Sequence, residues 1–287
     1  MTDVLKIEGL SAKLGEFKLR NVSFNVKEGA IMGFVGKNGA GKTSTLKLIL
    51  NSFNRDSGQI KVLGKDNIDD EEEVKNYIGY VPSESYLLED KNINQHVKMF
   101  RSFYNDFDMD ALRFYLSEFD VPRNVKTREL SLGMKMKAMI ALALAHKPKL
   151  LILDEATANL DPISRDEIMN VIRDYVDEEK SRAAIISTHI TSDLDKIADY
   201  ITVIDKGSIK ESAPIDEIQE KYVIVKGNIK NYDEFSDKFI GVEKNSNYFE
   251  GLICRQDLKD SNDLVTKSLP NVEKLLKYFI LGGKKSE

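Results

Sequence analysis

Apolar runs of strand length recur along the chain at VLKIEG, VSFNV, IMGFV, QIKVLG, YIGYV, LLIL, AAIIS and YITVID, several separated by stretches with amphipathic helix spacing. This alternation predicts an α/β core. Between Val81 and Leu150 the pattern changes: INQHVKMFRSFY, MDALRFYLSEF and the run from Leu132 to Ala145 all carry helical spacing. A helical subdomain at about 84–147 is therefore expected, inserted into the core. Further on, DKGS at Asp205 to Ser208 marks a turn, Pro214 opens a helix, and YVIVKGN reads as another strand. From about Tyr222 the chain reads as a small appended α/β unit, ending in the helix NVEKLLKYFI and a charged tail. The expected division is 1–220 for the core with its insertion and 221–287 for the accessory unit.

Between the apolar run IMGFV and the helix-like run TLKLIL lies GKNGAGKT, Gly36 to Thr43. A strand, a glycine-rich turn and a helix in that order make a phosphate-binding loop. Gly36, Gly39 and Gly41 allow backbone N–H groups to turn inward around an anion, with Asn38 and Ala40 completing the loop. Lys42 can lie along phosphate oxygens, the Thr43 hydroxyl can join a Mg²⁺ shell, and Ser44 continues the helix N-terminus, whose dipole favours negative charge. Farther along, the apolar strand Leu150 to Leu153 ends in Asp154 and Glu155. Carboxylates at the end of a buried strand are costly unless something uses them. Beside a phosphate loop, the first acid suits Mg²⁺ through its water and the second suits polarisation of an attacking water.

Composition narrows the classes. At 287 residues the chain can bury a large core, and 42 basic against 47 acidic residues leave a net charge of −5. That gives no global field for nucleic acid or anionic lipid, and no nucleic-acid partner is expected. The single cysteine, Cys254, precludes an internal disulfide and fits a reducing compartment. MTDVLKIEGL lacks the features of a signal peptide, and no stretch approaches the roughly 18 apolar residues of a membrane helix, so no direct membrane insertion is expected.

The ordered set GKNGAGKT, GYVPSE, LSLGM, LLILDEATANLD and IISTHI resembles the nucleotide-binding subunits of ABC transporters, in the branch whose exporters carry separate ATPase and membrane chains. The similarity covers roughly Val4 to Ile218. It implies a phosphate-loop cassette fold with an inserted helical subdomain, hydrolysis of ATP with Mg²⁺, a transmembrane permease partner, and a second cassette subunit, the same or different. It also implies a cytoplasmic location, peripheral on the cytoplasmic face of the cell membrane. By that resemblance Ser131 and Gly133 of LSLGM open a helix towards the γ-phosphate held by the other subunit, and Asp161 crosses to shape that subunit's site. His189 takes the switch-histidine position, holding phosphate, water and Glu155 in line.

Several positions depart from the family pattern. Leu132 replaces a glycine and Met134 a glutamine in the signature. Ser83 stands where the family commonly has a metal-reaching glutamine; either water bridges the gap, Glu84 substitutes, or coordination is weaker. Near Leu14, where the family tends to stack adenine on an aromatic ring, there is none, and Phe17 lies farther along the hairpin. Ala156 replaces a common proline and should loosen the turn after Glu155. Two other functions compete: a soluble ABC ATPase acting on ribosomes or DNA, and a regulatory subunit with weak hydrolysis. The first usually has twin cassettes or a long coiled coil, both missing here; Lys42, Asp154, Glu155 and His189 argue against the second, while Ser83 and Leu132 argue for it.

Overall fold

The computed structural model describes residues 2–104, 106–158, 160–258 and 264–282. Asn159 of the LLILDEATANLD segment and the charged tail at 283–287 lie outside the described residues. Strands β1 (Asp3–Leu14) and β2 (Phe17–Lys27) form a hairpin turned at Gly15. The fully buried strand β3 (Ile31–Val35) leads through the glycine loop into α1 (Lys42–Ile49). After β4 (Ser57–Val62), β5 (Lys65–Asp66) and α2 (Glu71–Tyr77), strand β6 (Ile78–Val81) enters the main sheet. Helix α2, with three acidic residues in its first turn, takes Tyr77 from the expected strand YIGYV.

The inserted segment is helical, with α3 (Ile93–Phe100), α4 (Met109–Glu118) and α5 (Leu132–Leu144). Helix α5 is buried continuously from Ala138 to Leu144, as its nearly all-apolar sequence demands. Helix α3 stops short of the expected end at Tyr104. Beyond Phe100 the N–H groups of Ser102 and Phe103 bond carbonyls three residues back, and the Ser102 hydroxyl also takes the Met99 carbonyl. This local competition closes the helix in a tight turn.

Next come β7 (Leu150–Asp154), α6 (Pro162–Glu178), β8 (Ala183–Thr188), α7 (Thr191–Ile197), β9 (Tyr200–Asp205) and β10 (Ser208–Pro214). The six-stranded sheet has the order β10-β9-β3-β8-β7-β6, parallel throughout except at the β10 edge. Its inner strands read as continuous apolar runs because helices or a second sheet cover both faces. That second sheet, β2-β1-β4-β5, shares an apolar core with β3 and α1.

Helix α8 (Ile215–Lys221) follows Pro214 and leads into a four-stranded antiparallel sheet. The sheet has the order β12-β13-β11-β14, from β11 (Tyr222–Asn228), β12 (Phe239–Lys244), β13 (Tyr248–Cys254) and β14 (Val265–Ser268). Helix α9 (Val272–Gly282) packs on it. The run YVIV splits by the strand period of two. Tyr222 and Ile224 join the main core with α7 and α9 residues, while Val223 and Val225 join a separate cluster around Phe235, Phe239 and Phe249. No helix among the described residues is long and apolar enough to cross a membrane.

Candidate functional site

Parallel order brings the motifs together, because β3, β8 and β7 are neighbours and each releases its chemistry-bearing residue at its C-terminal end. Val35 leads into the glycine loop, Asp154 ends β7 with Glu155 next, and Thr188 ends β8 with His189 next. Ser83 follows β6 at the same edge. These segments enclose a pocket of about 580 Å³ whose walls include Asn38, Gly39, Gly41, Lys42, Thr43, Ser44, Ser83, Glu155 and His189.

The loop glycines serve different needs. Gly39 and Gly41 have φ of +78° and +113°, which side-chain-bearing residues avoid. Gly36 has no such φ; a Cβ there would meet the Ile204 carbonyl oxygen at 2.5 Å, so it is close packing that requires glycine. Ala40 is buried beneath the loop, its carbonyl accepting from the Gly207 N–H. No side chain caps α1, leaving its first N–H groups to a ligand.

Lys42 is buried, and its ammonium donates to the Gly36 carbonyl at 2.8 Å. It also lies 3.1 Å from Glu155 Oε1. The other oxygen, Glu155 Oε2, is 2.6 Å from His189 Nδ1 and accepts the His189 backbone N–H at 3.4 Å. Glu155 is therefore held between a cation and an imidazole. Its φ of +54° is left-handed, a strained conformation for this residue, and its backbone N–H is held by the Ser187 carbonyl.

Beside this pair, the Thr43 hydroxyl donates to Asp154 Oδ1 at 3.1 Å. Burial raises the Asp154 pKa above the usual carboxylate value, against the Thr43 and Ser187 hydroxyls, which pull it down. The Tyr80 hydroxyl lies 3.5 Å from Asp154 Oδ2, and burial followed by that charge pushes its pKa up. Tyr80 was missed in the sequence, although it stands inside GYVPSE.

Phe17, farther along the hairpin than Leu14, lines the pocket, and a Cβ on Gly41 would meet its Cζ at 2.9 Å. Leu14 packs on the core of the antiparallel sheet instead and is not part of the pocket wall. The reach comes from β2, which starts at Phe17 immediately after the Gly15 turn and passes the loop there.

Ser131, Gly133 and Asp161 are not brought to the glycine loop. They line a second pocket of about 450 Å³ with Leu132, Met134 and Leu160. Ser131 caps α5 by accepting the Met134 N–H, and Asp161 caps α6 by accepting the Ser164 N–H, with Pro162 in the first turn.

Comparison with known proteins agrees with this arrangement. A family description, ABC transporter (ABC_tran), matches residues 19–158. The chain is similar to the bacitracin transport ATP-binding protein BcrA of Bacillus licheniformis, 32% identical over 77% of this chain and 73% of that protein. It is similar also to the ABC transporter ATP-binding protein YtrB of Bacillus subtilis, 30% identical over 73% and 71%. Among solved structures, one titled as the ATP-binding subunit of an ABC transporter superposes with a TM-score of 0.69 at 25% identity, covering 75% of this chain and 92% of that one. By motif, geometry and kinship alike, the chain belongs to the ABC transporter family, among its ATP-binding ATPase subunits.

Proposed function

We propose that this chain binds and hydrolyses ATP to drive a separate transmembrane permease, working as an exporter subunit on the cytoplasmic face of the membrane. The observation that carries the reading is the Lys42–Glu155–His189 chain of contacts at the mouth of the glycine loop. Phosphate oxygens entering the loop would compete with Glu155 for the Lys42 ammonium. Once released, the Glu155 carboxylate would be free to accept a proton from water, and His189 to donate to the terminal phosphate, holding the reactants in line.

The donor set also suits a hard divalent cation such as Mg²⁺. A hydroxyl and a carboxylate already lie 3.1 Å apart at Thr43 and Asp154, and Ser83 lines the same pocket. Thr43, Asp154 and Ser83 would hold the ion, which when bound would offset charge on the phosphates. Phe17 would stack against the base.

The separation of the two pockets supports a dimer. Ser131, Gly133 and Asp161 offer a helix N-terminus and a capping turn away from the chain's own loop, a surface suited to the nucleotide of a second cassette subunit. A relative is named for bacitracin transport, which makes bacitracin the first cargo to assay.

Steady-state hydrolysis by the purified chain, with and without its membrane partner, tests the reading. Mg²⁺-dependent turnover that is lost on chelation is expected. Tight ATP binding with no turnover, even beside the membrane partner, would favour the regulatory alternative.

A further inference from the structure

The short helix α7 begins two residues after His189 and is gripped from two sides. Its apolar side is fixed in the core by Leu194 and Ile197, and Leu194 lies so close to β3 that a Cβ on Gly33 would meet it at 2.7 Å. On one flank the buried Asp193 faces Arg165 of α6, whose Nη1 lies 3.4 and 3.5 Å from the two carboxylate oxygens. Arg165 is one turn into α6, its N–H bonded to the Asp161 carbonyl. On the other flank, Asp195 Oδ1 accepts the N–H of Val272, the first residue of α9, at 2.9 Å.

Neither contact is needed to complete an apolar core. A buried ion pair at these distances adds little over well-packed apolar residues, although losing one partner is costly. What both contacts do is fix α7 relative to its neighbours, one carrying Asp161 at its N-terminus and the other belonging to the C-terminal sheet unit. We propose that α7 is the positioning element for His189, with Asp193 tying it to Asp161 and Asp195 tying it to the C-terminal unit. A shift of either support is then felt at the 2.6 Å contact between His189 and Glu155. The C-terminal unit thereby acquires a task, to hold the switch histidine in register. The proposal rests on the reading of His189 given above.

The chain has three histidines, which makes ring resonances in NMR a direct readout. His96 Nε2 accepts the Leu88 N–H and His146 Nε2 bonds the Ile78 carbonyl, both remote from α7, so these two report on the integrity of the fold. In Asp193→Asn and Asp195→Asn the His189 signal should shift or broaden while the other two stay in place, with the larger change in Asp193→Asn. Asp195 is exposed, which keeps the second variant informative should the buried one fail to fold. Turnover should fall about tenfold with KM for ATP unchanged, as expected for misplacement of a group that acts in the transition state. Arg165→Lys, which keeps the charge, should retain much of it.

An unmoved His189 signal in both variants would overturn the proposal, and so would equal movement of all three signals, which would make the contacts a brace for the fold alone. A displaced His189 with unchanged turnover would uphold the positioning and instead remove His189 from the chemistry.

Discussion

At the N-terminal ends of the parallel strands, buried polar groups close on the chain's own backbone. The Tyr175 hydroxyl donates to the Pro148 carbonyl at 2.8 Å and His146 Nε2 bonds the Ile78 carbonyl at 3.1 Å, while Arg182 divides between the Tyr175 carbonyl at 3.0 Å and the Glu178 carboxylate at 2.7 Å. At the C-terminal ends, Lys42, Asp154, Glu155 and His189 engage one another or nearby hydroxyls around a pocket. Both ends contain titratable groups displaced by burial: His146 is held down to about 4, and Asp154 is raised. Burial alone therefore does not mark a site. A ring held by a fixed backbone carbonyl has no mobile partner to exchange, whereas a carboxylate held by Lys42 and His189 at the mouth of the glycine loop can exchange those partners for a water as phosphate enters.

The sharpest way to break this contrast is Lys42→Ala. At the C-terminal end it should weaken ATP binding by ~10³-fold, roughly 4 kcal/mol, since removing one member of a desolvated charged contact costs that much. A titration with labelled ATP showing unchanged affinity would place the nucleotide elsewhere.

At the other end, His146 should affect stability and leave chemistry alone. Its folded pKa of about 4 lies below its ordinary 6.5, so the unfolded chain binds more protons between those values. The stabilisation is whole above about pH 6.5 and is lost as pH falls towards 4, by up to about 3 kcal/mol. His146→Gln, keeping a donor for the Ile78 carbonyl without the titration, should flatten denaturation midpoints across that window. An equally steep acid loss in the variant would assign it to other groups.

Phe17→Ala should weaken ATP by about fivefold, near 1 kcal/mol for a lost ring contact, and leave inorganic triphosphate unaffected. Equal weakening of both ligands would show that Phe17 supports the loop at Gly41 and does not touch the base. The smallest change is expected of Ser83→Gln, whose longer side chain brings a carbonyl towards the metal position. It should lower the Mg²⁺ concentration for half-maximal turnover by about threefold, an order-of-magnitude expectation for one added oxygen ligand. No change would indicate that water already bridges from Ser83.

Much of the C-terminal edge was legible because each chemical residue follows an apolar run, and a parallel sheet places the ends of such runs side by side. Lys42, Asp154 and Glu155 needed only that order, whereas His189 was read from its place among the family's motifs. Phe17 was not legible, since its approach to Gly41 depends on the register of the β1–β2 hairpin, which contains several bulges. Tyr80 and the Arg165–Asp193 contact were missed because each joins elements distant along the chain. In the C-terminal unit the outer strand Val265–Ser268 is mostly exposed and mostly polar, so no apolar alternation announces it. Of the four strands of the C-terminal sheet, only Tyr222–Asn228 was read in the sequence.

Turnover by Glu155→Gln, measured beside its ATP affinity and melting temperature, tests the central contrast most directly. Glutamine keeps the size of the side chain and removes the base, so hydrolysis should fall by ~10² to 10⁴-fold while the variant still binds ATP and melts with the parent. An ATP-bound dimer should then accumulate in size-exclusion chromatography. Turnover that survives the substitution, in a variant shown to bind ATP, would contradict the assignment of chemistry to this end of the sheet.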